Sequence, residues 1–315
     1  MKVLGHRGCI YEPENTIRSF ERAFELGADG VELDTQSTSD GMIVVSHDRN
    51  LKRLVGFDFD IKEHTLKQLS EVKVKGESIP TLESILEIAK SKNKIVDVEL
   101  KNPEDLTSVA KVVDSFNYDG FFISSFYHRA MFEGKSLYPH LRFAYLYIHS
   151  PRNISDYVKE IDFLKPYIEY FDESYKDFAS ITIPWTVNEK SEFTLAKDLG
   201  VFGVITDVPD VILNFEKGVA NRESIFVQYL KGMVVSEETS LKEGILTFVN
   251  NISDIHIEGI WINGNLIDVG KPYPFLWKAS EKLVLKVDGV SVNQKLAFKT
   301  RESGLISVEV EKILR

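Results

Sequence analysis

From residue 1 to about residue 218, short apolar runs alternate with segments of helical periodicity, a pattern that admits few folds other than a parallel sheet wrapped by helices. Eight strands are expected, near Val3 to Gly5, Val31 to Thr35, Ile95 to Leu100, Phe121 to Ser124, Phe143 to Tyr147, Ile168 to Phe171, Ile181 to Thr186 and Gly203 to Thr206. Ile17, Phe20, Ala23 and Phe24 fall on one helical stripe, with Asn15 as N-cap and Gly27 as terminator. Leu82, Ile85, Leu86 and Ala89 repeat the spacing, as do Leu106, Val109, Ala110 and Val113 behind Asn102-Pro103. The expected architecture is therefore α/β, a (β/α)₈ TIM-type barrel at the short end of its length range.

After Gly218 the pattern changes to short alternating strands without helices between them: Val227 to Val235, Gly244 to Val249, Ile255 to Ile262, Leu266 to Val269, Leu283 to Val287, Val290 to Leu296 and Leu305 to Ile313. Asn263-Gly264 and Asp288-Gly289 carry two-residue hairpin chemistry. A barrel over 1–218 and a small all-β, sandwich-like domain over 219–315 are expected, with the linker at Lys217-Gly218 to Asn221-Arg222. Trp261, Tyr273, Phe275 and Trp277 read as core of the second domain.

Charge and cysteine content narrow the partners. A formal charge of -10 disfavours nucleic acid and anionic membranes, which need clustered Lys and Arg. Cys9 is the only cysteine, so no intrachain disulfide and no thiolate metal site can form. Met1 runs almost at once into the first strand, leaving no apolar leader, and no apolar stretch is long enough to span a membrane. A cytoplasmic protein is expected. The β domain remains open to a homo-oligomer or an unidentified ligand.

In a barrel the C-terminal ends of the strands converge on one mouth, so polar residues there are the candidates for chemistry. Strand one ends in His6-Arg7, strand two in Glu32-Leu33-Asp34, strand three in Glu99-Leu100-Lys101, and the seventh in Trp185-Thr186-Val187-Asn188. Glu32 and Asp34 are two apart and share a face, as do Glu99 and Lys101. Three carboxylates meeting this way repel one another unless a hard cation joins them, which points to one Mg²⁺ or Ca²⁺ on Glu32, Asp34 and Glu99. The Asp40-Gly41 turn, taken as a two-residue hairpin, pairs His47 with Asp34 and returns an imidazole to the mouth. Two imidazoles, a cation site and the charges of Arg7 and Lys101 suit phosphoryl transfer. One histidine deprotonates the nucleophile and the other protonates the leaving alkoxide.

These residues resemble the glycerophosphodiester phosphodiesterase family across the whole barrel. His6-Arg7-Gly8, Pro13-Glu14-Asn15-Thr16, Glu32-x-Asp34, Asp40-Gly41, His47-Asp48, Glu99-x-Lys101, Ser124-Ser125-Phe126, Trp185-Thr186-Val187-Asn188 and Ile205-Thr206-Asp207 occur in family order. The resemblance implies hydrolysis of glycerophosphodiesters to glycerol 3-phosphate and an alcohol. It implies metal on Glu32, Asp34 and Glu99, acid-base catalysis by His6 and His47, and phosphate contacts from Arg7 and Lys101. The segment Arg49 to Ile79 is short for the family and limits any lid.

Blander readings stand beside these. Asn15 reads as a helix cap rather than a ligand. Trp185 reads as core before it reads as a platform stacked on a choline ammonium. Asp48 reads as the partner that orients His47 or as the cap of the turn after it. A lysophospholipid or phosphoinositide substrate would call for an apolar ridge, for which Phe57-Asp58-Phe59 and Phe121-Phe122 are the available material. A third reading, a non-catalytic binding or assembly module, has the intact ordered motifs against it.

Overall fold

Val3 and Leu4 are both fully buried at successive positions of the first strand, so both faces of that strand are covered, as parallel strands under helices require. The computed structural model describes residues 1–216, 234–235, 245–249, 255–277, 282–286, 295–300 and 304–309. The first ten strands are β1 (Lys2–His6), β2 (Gly30–Ser37), β3 (Ile43–Val45), β4 (Lys73–Val74), β5 (Glu77–Ser78), β6 (Ile95–Leu100), β7 (Phe121–Ser125), β8 (Arg142–Tyr147), β9 (Phe163–Pro166) and β10 (Gly203–Thr206). The parallel sheet runs β10-β1-β2-β6-β7-β8-β9, with β3 added antiparallel to β2. Its helices are α1 (Ile17–Glu25), α2 (Lys52–Val55), α3 (Leu66–Leu69), α4 (Leu82–Ser91), α5 (Leu106–Ser115), α6 (His128–Leu137), α7 (Lys190–Leu199) and α8 (Pro209–Glu216).

The expected closed eight-strand barrel is found as a curled sheet that, counted in strands, is open between β9 and β10. The segment expected as the seventh strand makes only single bridges, Thr182 to Leu164 and Trp185 to Tyr167. Ile183 and Trp185 nevertheless donate backbone hydrogen bonds to Leu164 and Pro166, and Val187 donates to Ile205. Pro184 has no N–H to give, which interrupts a regular ladder. The expected sixth strand at Ile168 to Phe171 is a correction: Ile168–Tyr170 is a 3₁₀ turn, and the strand lies earlier, at Phe163–Pro166. That strand, Phe-Leu-Lys-Pro, is only four residues long, is interrupted by a charged residue and ends in proline, so it carries little strand signal.

Leu4, Phe122, Ala144, Phe163, Ile183 and Ile205 pack together inside the sheet, forming the floor beneath the strand ends. Burying each large apolar side chain contributes about 1.5–3 kcal/mol. Outside, Phe20, Ala23 and Phe24 of α1 are buried, and so are the four expected apolar positions of α4 and of α5. Ile17, by contrast, is exposed. Arg49 to Ile79 is not a bare loop. It builds a small core from Leu51, Ile61, Leu69, Val72, Val74 and Ile79 against Val44.

The chain divides into two compact units, one of Met1–Cys9 and Pro13–Ile212 and a second running on from Leu213. The expected linker at 217–222 and the Asp288-Gly289 turn lie outside the described residues. The second unit holds β11 (Val234–Val235), β12 (Ile245–Val249), β13 (Ile255–Ile262), β14 (Asn265–Leu266), β15 (Phe275–Trp277), β16 (Lys282–Lys286), β17 (Lys295–Thr300) and β18 (Gly304–Glu309). They form two small antiparallel sheets, β11-β12-β16 and β14-β13-β17-β18, with β15 on β13. Asn263 and Gly264 both take positive φ, as the two-residue turn between β13 and β14 demands. Trp277 is fully buried, and the rings of Phe248 and Phe298 meet edge to face at 6.0 Å.

Candidate active site

The end of β1 is shaped by close approach. A Cβ on Gly5 would lie 1.9 Å from the carbonyl oxygen of Gly8, and Gly8 sits at φ +96 against Ser19. Arg7 and Asn15 also adopt left-handed backbone, and the Asn15 amide donates to the Arg7 carbonyl at 3.0 Å. Non-glycine residues held this way are uncommon and cluster at functional sites. Here the turn aims His6 and Arg7 across the ends of β2 and β6.

Glu32, Asp34 and Glu99 are all buried, and each offers a carboxylate oxygen within 4.8 Å of the others. The parallel register places Asp34 directly beside Glu99. Arg7 Nε and Lys101 Nζ approach the two Asp34 oxygens, each at 3.2 Å, and Lys101 Nζ donates to Glu99 Oε1 at 2.8 Å. The Arg7 backbone amide donates to Glu32 Oε2 at 3.1 Å.

Electrostatics separates the three acids. Burial, then the neighbouring Asp34 charge, pushes the Glu32 carboxyl up to about 8. The same two causes raise Glu99, against the pull of Lys101. For Asp34 burial works upward, but Arg7 and Lys101 outweigh it and hold the group well below the carboxylate range. Asp34 Oδ1 is buried and makes no hydrogen bond of good geometry. That oxygen, ion-paired with Lys101 at 3.2 Å, lies among three carboxylates with no sulfur donor nearby, a donor set that fits a hard divalent cation.

Two imidazoles flank this nest, each held by a carboxylate. His6 Nδ1 lies 2.7 Å from Asp207 Oδ1, and His6 Nε2 lies 3.9 Å from Glu32 Oε2. A carboxylate only accepts, so Nδ1 carries the proton and Nε2 is left for chemistry. Burial and Arg7 lower the His6 pKa, but the hydrogen bond and charge of Asp207, with Glu32, outweigh them and the net shift is upward. His47 Nδ1 lies 2.6 Å from Asp48 Oδ1.

The route by which His47 arrives corrects the sequence argument. The hairpin loop is one residue longer than a two-residue Asp40-Gly41 turn, and Thr35 pairs with Val45 rather than with Ser46. Asp34 therefore stands opposite Ser46, whose amide donates to its carbonyl at 2.9 Å. His47 comes just after the end of β3. It nonetheless lines the same pocket as His6, Arg7, Glu32, Glu99 and Lys101, whose other walls are Phe126, Leu146, Lys165, Trp185 and Ile205.

Several neighbours escaped the sequence reading. Asn15 does not cap α1; Thr16 does, accepting from the Ser19 amide, while Asn15 Nδ2 donates to Asp34 Oδ2 at 2.8 Å. Asp207, part of the Ile205-Thr206-Asp207 motif but given no role there, directly follows β10, where the strand-end rule applied to the eighth strand points to it. Asn188 holds it, donating from Nδ2 to Asp207 Oδ2 at 2.7 Å. Lys165 is almost fully buried and donates to Ser124 Oγ at 2.8 Å, with Asp97 as its ion-pair partner. The misplaced sixth strand hid it.

Trp185 is half-buried, donates through Nε1 to the Lys165 carbonyl, and has Phe126 and Tyr167 as ring neighbours at 5.9 and 5.1 Å. The expected apolar material is corrected in part: Phe121 and Phe122 are buried and Phe59 packs on the Arg49 to Ile79 core, whereas Phe57 is exposed. Phe126, Tyr127 and Ile148, just beyond the ends of β7 and β8, are exposed as well. Among the described residues no helix is long and apolar enough to cross a membrane.

Comparisons with known proteins bear on the family and the fold. Residues 6–146 match the glycerophosphoryl diester phosphodiesterase family. A glycerophosphodiester phosphodiesterase of Caldanaerobacter subterraneus is 34% identical over 236 residues, 67% of this chain and 96% of its own. The solved glycerophosphodiester phosphodiesterase of Thermotoga maritima is 30% identical with a TM-score of 0.58, covering 68% of this chain and 97% of its own. A phosphodiesterase of Oleispira antarctica, solved with the product sn-glycerol-3-phosphate, shares the fold at 24% identity and a TM-score of 0.63, over 69% of this chain and 97% of its own. About a third of this chain lies outside each of these alignments. With nearly the whole length of a relative matched at that identity, and with the acidic nest and both imidazoles in place, this chain belongs to the glycerophosphodiester phosphodiesterase family and is an enzyme of that family.

Proposed function

We propose that the chain hydrolyses glycerophosphodiesters to glycerol 3-phosphate and an alcohol at the mouth of the first unit, with His6 and His47 as the acid-base pair. The observation that carries this reading is the convergence of Glu32, Asp34 and Glu99 oxygens within 4.8 Å of one another, with Glu32 and Glu99 on the wall of a pocket that His6 and His47 also line. In this reading the curled sheet is a (β/α)₈ barrel in which residues 181–187 take the place of a stave, and the second unit is a small sandwich.

Arg7 and Lys101 bind the phosphate of the diester, their charges already poised against Asp34. Glu32, Asp34 and Glu99 hold the divalent cation, Mg²⁺ or Ca²⁺, which when bound supplies electrostatic stabilisation of the non-bridging oxygens. Asp207 and Asp48 fix the two rings through Nδ1, leaving each Nε2 to move a proton. One Nε2 takes the proton of the attacking O–H, from water or from the substrate's own neighbouring hydroxyl, as the P–O bond to the alcohol breaks, and the other gives a proton to the leaving alkoxide. Where the substrate hydroxyl attacks, water then opens the cyclic phosphate to glycerol 3-phosphate. Trp185, half-buried at the pocket wall, bounds the space for the alcohol.

The exposed Phe126, Tyr127 and Ile148 favour a second reading on the same site, in which the alcohol carries an apolar chain, as in a lysophospholipid. One assay separates the two. The purified protein is given glycerophosphocholine, glycerophosphoethanolamine, glycerophosphoglycerol and a lysophospholipid, each with Mg²⁺, Ca²⁺ or chelator. Metal-dependent release of glycerol 3-phosphate from the small diesters is the expected result. Turnover of the lysophospholipid alone would move the assignment to the second reading, and no turnover of any diester with metal present would refute both.

A further inference from the structure

Arg53 stands on α2, six residues after His47, and its guanidinium spans two carboxylates from different parts of the chain. Its Nε donates to Asp48 Oδ2 at 2.6 Å, while its two terminal nitrogens donate to Glu14 Oε2 and Oε1 at 2.9 and 2.6 Å. Both carboxylates lead inward. The other oxygen of Asp48 holds His47 Nδ1 at 2.6 Å, and Glu14 Oε1 accepts from Arg7 at 3.3 Å. His47 and Arg7 are thus joined by an unbroken run of alternating charges, Asp48, Arg53 and Glu14.

Neither carboxylate is held by regular structure of its own. Asp48 lies beyond the end of β3, and Glu14 lies in the connection between β1 and α1. A planar guanidinium can grip both at once, whereas a lysine ammonium, a single point on a flexible stem, cannot. Arg53 is 38% exposed, so the pairs contribute little to global stability and their effect is on orientation. Burial raises the Glu14 carboxyl, but the Arg53 hydrogen bond leads the contacts that bring it below its ordinary value.

We propose that Arg53 is a positioning residue, a clamp that sets His47 and Arg7 at one spacing by tying Asp48 to Glu14. The inference rests on the roles of His47 and Arg7 given under the proposed function. Losing the clamp loosens proton transfer through Asp48 and His47, and phosphate binding through Glu14 and Arg7. The guanidinium's own hydrogen bonds go to Asp48 and Glu14, and it meets the carboxylates of the cation site only through Arg7.

The test uses the full-length protein as wild type, R53M, R53K, D48N, E14Q and the R53M/D48N double variant, with kcat, KM and melting temperature measured for each. R53M is expected to lower kcat/KM by roughly 10- to 100-fold, with kcat reduced and KM raised at an unchanged melting temperature. D48N acts mainly on kcat and E14Q mainly on KM. D48N added to R53M costs less than D48N alone. R53K recovers only part of the loss, and where R53M does not fold, R53Q carries the same expectation. Kinetic constants of R53M within about twofold of wild type, or R53M and D48N effects that multiply independently, would overturn the clamp. If the wild type turns over no diester, the function reading fails instead, and the clamp is judged on nitrogen-15 spectra of labelled histidine. A single Nδ1-protonated His47 tautomer in wild type that becomes mixed in R53M supports it. An unchanged tautomer overturns it.

Discussion

His6 Nδ1 and Asp207 Oδ1 are 2.7 Å apart although 201 residues separate them in sequence, so the parallel pairing of β1 with β10 is carried on past the strand ends by a side-chain hydrogen bond in the site. The contact fixes which ring nitrogen faces the carboxylate nest.

Replacing Asp207 by Asn is expected to lower kcat by roughly 10²- to 10⁴-fold, the range of a lost acid-base contribution. Burial and Arg7 lower the His6 pKa and Asp207 raises it, so removing the carboxylate leaves the lowering causes in charge. The His6 limb of the pH–rate profile should move to lower pH in the variant. A profile that keeps its midpoint would remove Asp207 from this role.

Glu99→Gln should weaken divalent-cation affinity without unfolding the protein, because the side chain sits at the pocket wall with Lys101 able to hydrogen-bond the amide oxygen. Calorimetric titration with Mg²⁺ and with Ca²⁺ measures the change. An affinity equal to that of wild type would take Glu99 out of the ligand set.

Acid stability should carry a contribution from Glu14, a small one because its partner Arg53 is partly exposed. Its folded-state pKa is below the ordinary 4.5, so it binds a proton more readily unfolded than folded. The stability it contributes is fully present above pH 4.5 and is lost as pH falls through the lower folded value. Denaturant melts at stepped pH should show this acid-dependent loss in wild type and a shallower one in E14Q. Identical slopes would contradict the assignment.

Leu4→Ala removes a fully buried side chain from the floor beneath His6 and should cost about 2–5 kcal/mol of stability. Urea denaturation gives the figure directly. A cost below ~1 kcal/mol would mean that the packed interior relaxes to fill the space.

Much of this was legible in residue order because alternation and strand-end placement are local properties. The buried faces of α4 and α5 follow from helical spacing, and Glu32, Asp34 and Glu99 meet because parallel register keeps strand ends level. What escaped depends on exceptions to local rules. One extra residue in the β2–β3 loop changed the partner of Asp34 from His47 to Ser46, although His47 still lines the pocket. Asn15 has the chemistry of a cap, but its left-handed backbone turns it toward Asp34 and leaves capping to Thr16. Lys165 lies on a four-residue strand ending in proline, too short to announce itself, and Arg53 reaches Glu14 only in three dimensions.

The central claim is that two imidazoles act on a phosphorus held beside three carboxylates, and ³¹P spectroscopy of glycerophosphocholine tests it most directly. With Mg²⁺ or Ca²⁺ the account predicts that the diester resonance gives way to that of glycerol 3-phosphate in wild type, and that chelator, His47→Ala or Glu32→Ala each abolish the change. Conversion at the wild-type rate by His47→Ala and Glu32→Ala, or in the presence of chelator, would contradict it.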